Sequence, residues 1–428
     1  MSAETHVDVA IVGAGIAGIA TAYYLCVQHD VRSVLLIDSR QAMSFTSAQS
    51  GDNYRNWWPH PTMAEFTNRS IDLMEALADE SSNIFRMTRR GYALATRQTD
   101  VEDLVSEIPP DDFELFSGRS AIRKTFPSFS PDIENVVHIR RAGDISGQQL
   151  GQYMLEKLHV AGGRKMSGTL RGLQRGYPYR LDLETTDGTH TVLADRFVNA
   201  AGPFVGVVAA MLDVELPVTN TFQQKIAFED TQGAVPRDMP FSIDLDDKQL
   251  SWSEEERELL AGDPDLAWLS ASLPGGTHCR PDGGDHGKWV KLGWAYNSDL
   301  SVPQEDLANE PKLDSQFPEI VIRGAAAFIP SLTGYIESPP SRLSLYGGYY
   351  TMTEENWPLI GPLDDSGAFV VGALSGFGSM AACAAGELAA AWVCNSDLPS
   401  YAKQLSLARY EDAGLMNELR SSRSKGIL

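Results

Sequence analysis

The sequence predicts an α/β fold, and three observations predict it. The first is an apolar run, Val7-Asp-Val-Ala-Ile-Val12, that reads as a buried parallel strand. Gly13, Gly15 and Gly18 follow it in G-x-G-x-x-G spacing. A helical stretch at 16–29 then carries Ile19, Tyr23 and Cys26 on one face, and a second strand, Ser33–Ile37, ends at Asp38. The second observation is the return of strand–helix alternation at 143–198. The third is length: 428 residues exceed one ordinary core, so two domains are expected.

Each part of the opening unit has a physical role. Gly13 makes a tight turn, Gly15 lets the backbone approach a pyrophosphate, and Gly18 lets helix and strand pack closely. The helix N-terminus offers free N–H groups and a partial positive charge to phosphates. Asp38 lies 20 residues after Gly18, where an acid accepts from ribose hydroxyls. Three glycines alone can mark a turn; strand, glycines, helix, strand and acid in that order predict a dinucleotide site.

Bulk properties narrow the class. The hydrophobic fraction, 43 %, suits a globular protein. No apolar run reaches the ~18–20 residues of a membrane helix. The start, MSAETH, lacks the basic and apolar regions of a signal peptide, so a cytoplasmic location is expected. Cys26, Cys279, Cys383 and Cys394 form no CxxC and no Cys/His cluster; they read as free thiols, and no metal site is expected. A net charge of −22 disfavours nucleic acid and anionic membranes as partners. Oligomeric state is left open.

After Asp38 comes Ser44–Arg55, dense in small and hydroxylic residues that can lie against a cofactor and hydrogen-bond it. Thr62 and Glu65 suggest a capping box for a helix at about 63–79. Residues 84–96 look like a strand pair around Gly91, and 100–135, acidic and Pro-punctuated, read as excursion helices and loops. Gly147 precedes a helix with Leu150, Met154 and Leu158, stopped by Gly162 and Gly163. Residues 165–198 alternate as strands around Thr186-Asp-Gly188 and close on Phe197-Val-Asn-Ala-Ala-Gly-Pro203, which can meet a cofactor with its backbone. Residues 216–340 change character: strand-like runs at 222–228 and 289–294 surround a long acidic insert, 242–270, and form the candidate substrate domain. Strands return at 343–350 and 367–374, a helix of small residues follows at 377–393, and 403–428 is polar and helical or frayed. No internal repeat is present.

These features together resemble the D-amino-acid oxidase, glycine oxidase and sarcosine oxidase family of FAD-dependent amine-oxidising enzymes. The likeness runs through nearly the whole chain. It is carried by GAGIAG (13–18) with Asp38, SGDNYR (50–55), NAAGPF (199–204), VKLGW (290–294), GYYTMTEENWPLIGP (348–362) and GALSGFGSM (372–380). The resemblance implies a Rossmann-like FAD-binding domain (1–83, 141–215 and 341–428) interleaved with an antiparallel-sheet substrate domain (84–140 and 216–340), the flavin lying between them. Gly13, Gly15, Ile16, Ala17, Gly18, Asp38, Ser39 and Arg40 would hold the ADP half. Thr46, Ser47, Ser50 and Gly51 would line the flavin, and Ala200, Ala201 and Gly202 would touch the dinucleotide. Gly376, Phe377, Gly378, Ser379 and Met380 would hold the pyrimidine edge. That edge is anionic in reduced flavin, and a helix N-terminus stabilises negative charge by ~0.3–1 kcal/mol.

Lys291 sits in the apolar strand Trp289–Trp294, where alternation could equally send it to solvent. At the matching K-L-G position, sarcosine-oxidase-like members keep a lysine by the flavin that promotes reaction with O₂. Members with covalent flavin use a His in the first loop or a Cys that here aligns with Gly348, so non-covalent FAD is expected. The lysine that pairs with the sarcosine carboxylate aligns with Met380, which leaves Arg55, with its bidentate fork, as carboxylate partner or as a structural ion pair. Tyr349 and Tyr350 could reach a substrate, although strand neighbours face opposite ways. The implied function is oxidation of the C–N bond of an amino acid or secondary amine to an imine, with O₂ giving H₂O₂. The alternatives are a dehydrogenase passing electrons to a quinone or carrier, a 2-hydroxy-acid oxidoreductase, and a flavin-bound assembly protein.

Overall fold

A computed structural model of the chain describes residues 3–105, 108, 111–305, 311–422 and 426. Two large sheets organise it. The first has the order Leu359–Pro362, Ala368–Gly372, Gly188–Asn199, Ala3–Val12, Val34–Asp38, Arg164–Ser167, with Tyr179–Thr185 and Thr169–Gln174 branching from Gly188–Asn199. Its centre is parallel: Ala3–Val12 pairs in parallel with both Gly188–Asn199 and Val34–Asp38. Val9 and Ile11 enter one apolar layer and Ala10 and Val12 the other. Burial on both faces explains why this strand reads as a continuous apolar run.

Helices Ile16–Val27 and Gly378–Cys394 pack together on one of those faces. The small residues of the second helix allow that approach: a Cβ at Gly386 would stand 2.5 Å from the backbone carbon of Ala20. Alanine is intrinsically the better helix former by ~1 kcal/mol, but overpacking costs about 1–3 kcal/mol. Gly386→Ala is therefore expected to lower the melting temperature; a rise would show that the two helices separate freely.

The second sheet runs Leu343–Met352, Thr219–Glu229, Trp289–Gly293, Thr277–Asp282, Phe241–Asp244, Tyr92–Thr96, Asn135–Ile139, Phe113–Ser117. Its pairings are antiparallel except that of Phe241–Asp244 with Tyr92–Thr96. Strand Leu343–Met352, although it lies within the 341–428 segment, pairs here with Thr219–Glu229. Among the described residues no helix is long and apolar enough to cross a membrane, no group of three or more His, Cys, Asp or Glu side chains could hold a metal ion, and the four thiols are free.

Several local expectations are corrected. The helix after Trp58 spans Pro61–Glu80 and is capped by His60, whose Nδ1 accepts from the Thr62 N–H at 3.2 Å, with Pro61 at its first position. Glu65 instead accepts from the Ser400 hydroxyl, so no Thr62/Glu65 capping box forms. Residues 84–96 contribute one strand, Tyr92–Thr96, because Gly91, at φ +81°, opens it rather than joining two. The 100–135 excursion contains an edge strand, Phe113–Ser117, whose half-exposed residues give no alternation to read, followed by the helix Arg119–Thr125. The acidic 242–270 stretch is partly interior: Asp244 is buried and pairs with Lys248 at 3.0 Å and Arg97 at 3.1 Å.

Candidate functional site

The glycine turn has the predicted form. Gly13 adopts φ +112°, and a Cβ there would lie 2.1 Å from the Ala200 carbonyl oxygen. A Cβ at Gly18 would lie 1.9 Å from the Gly13 carbonyl, so only glycine admits this contact between helix and turn. Asp38 braces the turn: one carboxylate oxygen accepts from Ala14 N–H at 2.7 Å and the other from Arg40 N–H at 2.8 Å. Two acceptor positions remain on that carboxylate for a ribose. The Ser47 hydroxyl accepts from Ile16 N–H at 3.0 Å, which closes the 44–51 loop onto the helix N-terminus.

Four cavities, each sharing residues with the next, run from this turn into the space between the sheets. The first lies among Asp38, Ser39, Arg40, Gly168 and Phe204; the second among Gly13, Gly15, Thr46, Ala200 and Gly202. Both include Arg40, whose guanidinium lies 3.7 Å from the Phe45 ring centre, and Ala201. The third is bordered by Ile16, Ser47, Ser50, Gly51, Gly348, Gly376, Gly378 and Ser379. The fourth holds Arg55, Tyr92, His278 and Phe377, and shares Gly51, Lys225, Tyr350 and Gly376 with the third. This series fits an extended dinucleotide that ends at a substrate space. Thr46 Oγ1, Asn53 Oδ1 and Arg55 Nε are buried along it without a hydrogen-bond partner among the described residues, as expected of groups that await a ligand. A separate, wider cavity among Phe222, Trp268, Trp294 and Tyr296 includes none of the glycine-turn residues.

The second sheet supplies the wall of the third and fourth cavities. Paired residues share a face and alternate residues repeat it. The pairings Thr221–Tyr350, Lys225–Tyr346, Ala227–Lys291 and Arg280–Lys291 therefore put Lys225, Lys291, Arg280, Tyr346 and Tyr350 on one face. Tyr349 is on the other, packed against Phe45 and Phe222 with ring centres 5.7 and 5.3 Å apart. The expectation that it reaches a substrate is corrected on that ground; Tyr350 borders both cavities. Met380 and Ala17 also point away: Met380 is buried in the helical core, its carbonyl accepting from Ser70, and Ala17 packs against that core. Ser379 donates to the Ser50 hydroxyl at 2.8 Å, tying the last helix to the 44–51 loop.

Lys291 does not point to solvent. Its side chain is 21 % exposed, with its ammonium 3.9 Å from Asp52 and 3.7 Å from Asp282. Burial pulls its pKa below the usual lysine range, Arg280 adds to that, and Asp52 and Asp282 oppose it. Asp52 directly follows Gly51, so Lys291 stands behind the loop that borders the third cavity. Arg55 is 7 % exposed, and among the described residues no carboxylate lies within 4.0 Å of it. It donates to the Gly426 carbonyl at 2.9 Å and lies 5.4–5.7 Å from the ring centres of Trp57, Trp58 and Tyr92. Among the described residues Arg55 is thus a buried cation without a carboxylate partner, not half of an ion pair. His278 is pulled down to about 4 by burial and by Lys225, so its imidazole is neutral at pH 7. Lys225, His278, Tyr92 and Asn53 were not singled out by sequence; Lys225 follows two glutamines in Phe222–Phe228 and lacks the apolar flanks that made Lys291 visible.

The fold has well-matched relatives. L-proline dehydrogenase from P. horikoshii superposes with a TM-score of 0.73 at 16 % identity, covering 97 % of this chain and 100 % of that one. Glycine oxidase from Geobacillus kaustophilus gives 0.72 at 16 %, covering 95 % and 99 %. L-amino acid deaminase from Proteus vulgaris gives 0.71 at 15 %, covering 96 % and 98 %. No curated protein sequence matches the chain significantly. A family model described as FAD dependent oxidoreductase matches residues 8–392, a span that runs from the first strand through the helix after Gly378. With the glycine turn, the braced acid and the first three cavities inside that span, the chain belongs to the DAO family of FAD dependent oxidoreductases.

Proposed function

We propose that this oxidoreductase oxidises the C–N bond of an amino acid or secondary amine to an imine, with O₂ as acceptor and H₂O₂ as product. One observation carries the reading: Arg55, a buried cation without a carboxylate partner among the described residues, opens into the cavity that adjoins the Gly376–Ser379 turn. A planar fork of that kind suits a substrate carboxylate. FAD supplies a two-electron acceptor for the hydride leaving the carbon next to nitrogen. Arg55 and Tyr350 hold the substrate; the aromatic rings of Tyr92, Phe241 and Phe377 exclude water around it. His278, being neutral, competes for no proton with a free amine. The three enzymes compared above act, by their names, on proline, glycine and L-amino acids, which supports the substrate class. The test is oxygen uptake with peroxide formation and product analysis: C–N oxidation releases ammonia or an amine together with the carbonyl product of imine hydrolysis, whereas a 2-hydroxy acid would give a keto acid alone.

A second reading, a dehydrogenase of the same fold, is favoured by the likeness to proline dehydrogenase. Oxygen uptake slower than reduction of a quinone or dye would select it. Lys291 tilts the choice toward O₂, since a fixed cation stabilises developing superoxide. We assign 1–83, 141–215 and 341–428 mainly to the cofactor domain and the remainder to the substrate domain, in a cytoplasmic protein with free thiols.

FAD binding is proposed to be non-covalent. Gly348 borders the third cavity where a cysteine would be needed, and a Cβ there would meet the Gln49 side chain at 3.0 Å. Acid precipitation of the holoenzyme is expected to give a colourless pellet and a yellow supernatant; a yellow pellet contradicts it.

A further inference from the structure

Two cations, Arg55 and Lys225, face the fourth cavity. Lys225 is 7 % exposed, and its ammonium donates to the Tyr350 hydroxyl at 3.1 Å. Among the described residues, no carboxylate lies within 4.0 Å of that ammonium or of the Arg55 guanidinium. The other cations on this face of the sheet are treated differently. Lys291 has Asp52 and Asp282, and Arg280 has Asp282 at 3.0 Å and Asp144 at 3.6 Å. The protein thus supplies counterions to its buried cations on that face except at the cavity. An isolated buried charge costs several kcal/mol unless something pairs with it. Among the described residues the remaining lining offers no carboxylate: His278 is neutral, Asn53, Asn356 and Ser375 are uncharged, and Tyr92, Phe241 and Phe377 are aromatic.

We infer that Lys225 binds a second carboxylate, so that the preferred substrates are amines or amino acids bearing two carboxylates, one held by Arg55 and the other by Lys225. The inference rests on the C–N oxidation reading and narrows its substrate class. Tyr350 fixes the direction of the ammonium, and the aromatic walls strengthen the pairing by keeping water out.

Two measurements on the FAD-loaded protein test it. The first is anaerobic flavin reduction with matched pairs: iminodiacetate against sarcosine, and both enantiomers of aspartate and glutamate against asparagine and glutamine. The second is perturbation of the flavin spectrum by compounds that cannot be oxidised at nitrogen, thiodiacetate against methylthioacetate. Wild type is expected to prefer the dicarboxylate by about 10²-fold in both, the effect of one buried charge pair. Lys225→Met and the closer-sized Lys225→Gln should bring that ratio near one, and Lys225→Arg should keep most of it. Wild type without the preference, or variants that slow both members of a pair equally, overturn the inference. If no amine reduces the flavin, C–N oxidation is the reading that fails, and the thiodiacetate titration judges Lys225 alone.

Discussion

Arg55→Met is expected to lower kcat/KM for a carboxylate-bearing amine by about 10²–10³-fold, mostly through KM. Removing one partner of a buried charge pair costs about 2–5 kcal/mol, and each 1.4 kcal/mol is tenfold. Arg55→Lys should recover part of the loss, since a point charge replaces a fork without restoring two parallel hydrogen bonds. The same variant separates binding from stability. Among the described residues the buried guanidinium has the Gly426 carbonyl, a hydrogen bond to Tyr92 and the rings of Trp57, Trp58 and Tyr92 as company, and no carboxylate. Burial of such a charge is unfavourable, so Arg55→Met should not lower the melting temperature of the apoprotein. Steady-state kinetics and a thermal melt read the two effects. A wild-type enzyme that turns over carboxylate-free amines equally well would contradict the assignment.

Lys291→Met is expected to slow reoxidation of the reduced enzyme by O₂ by roughly 10²-fold. One preorganised electrostatic group is worth about 10²–10³ in rate. The lower end applies because Asp52 and Asp282, at 3.9 and 3.7 Å, offset part of the lysine charge. Reduction by substrate should change much less, since no negative charge develops there at that stage. Stopped-flow spectroscopy of the two half-reactions separates them. Equal O₂ rates in variant and wild type would move the proposal to a dehydrogenase and leave Lys291 a structural ion pair.

What was legible in the sequence was local. The Gly13–Gly18 turn, its flanking strands and Asp38 lie within one stretch of chain, and their spacing states their geometry. Tyr349 and Tyr350 were half legible: a strand must send them to opposite faces, but the face that meets the cavity is set by pairing with Thr219–Glu229, far away in sequence. Lys291 was visible as a lone cation, whereas its partners Asp52 and Asp282 were not, because the turn after Ser50 and the strand Thr277–Asp282 meet only in the folded chain. Lys225 follows Gln223 and Gln224 in a strand of mixed polarity, where a lysine carries no signal; its burial, with no carboxylate partner among the described residues, is a tertiary fact. Arg55 was read as cavity group or ion pair with nothing to separate the two, since the absence of a partner becomes readable only once the neighbours are in place. The buried Asp244 in the acidic 242–270 stretch shows the same limit, as composition alone reports charge and not its pairing with Arg97 and Lys248.

The most direct test of amine oxidation is anaerobic mixing of the yellow holoenzyme with D-, L- and N-alkyl amino acids while the flavin absorbance is followed. The account predicts full bleaching by at least one carboxylate-bearing amine, an imine-derived product in equal amount, and no bleaching by the matching 2-hydroxy acid. Bleaching by the hydroxy acid alone, or by none of these compounds, would contradict it.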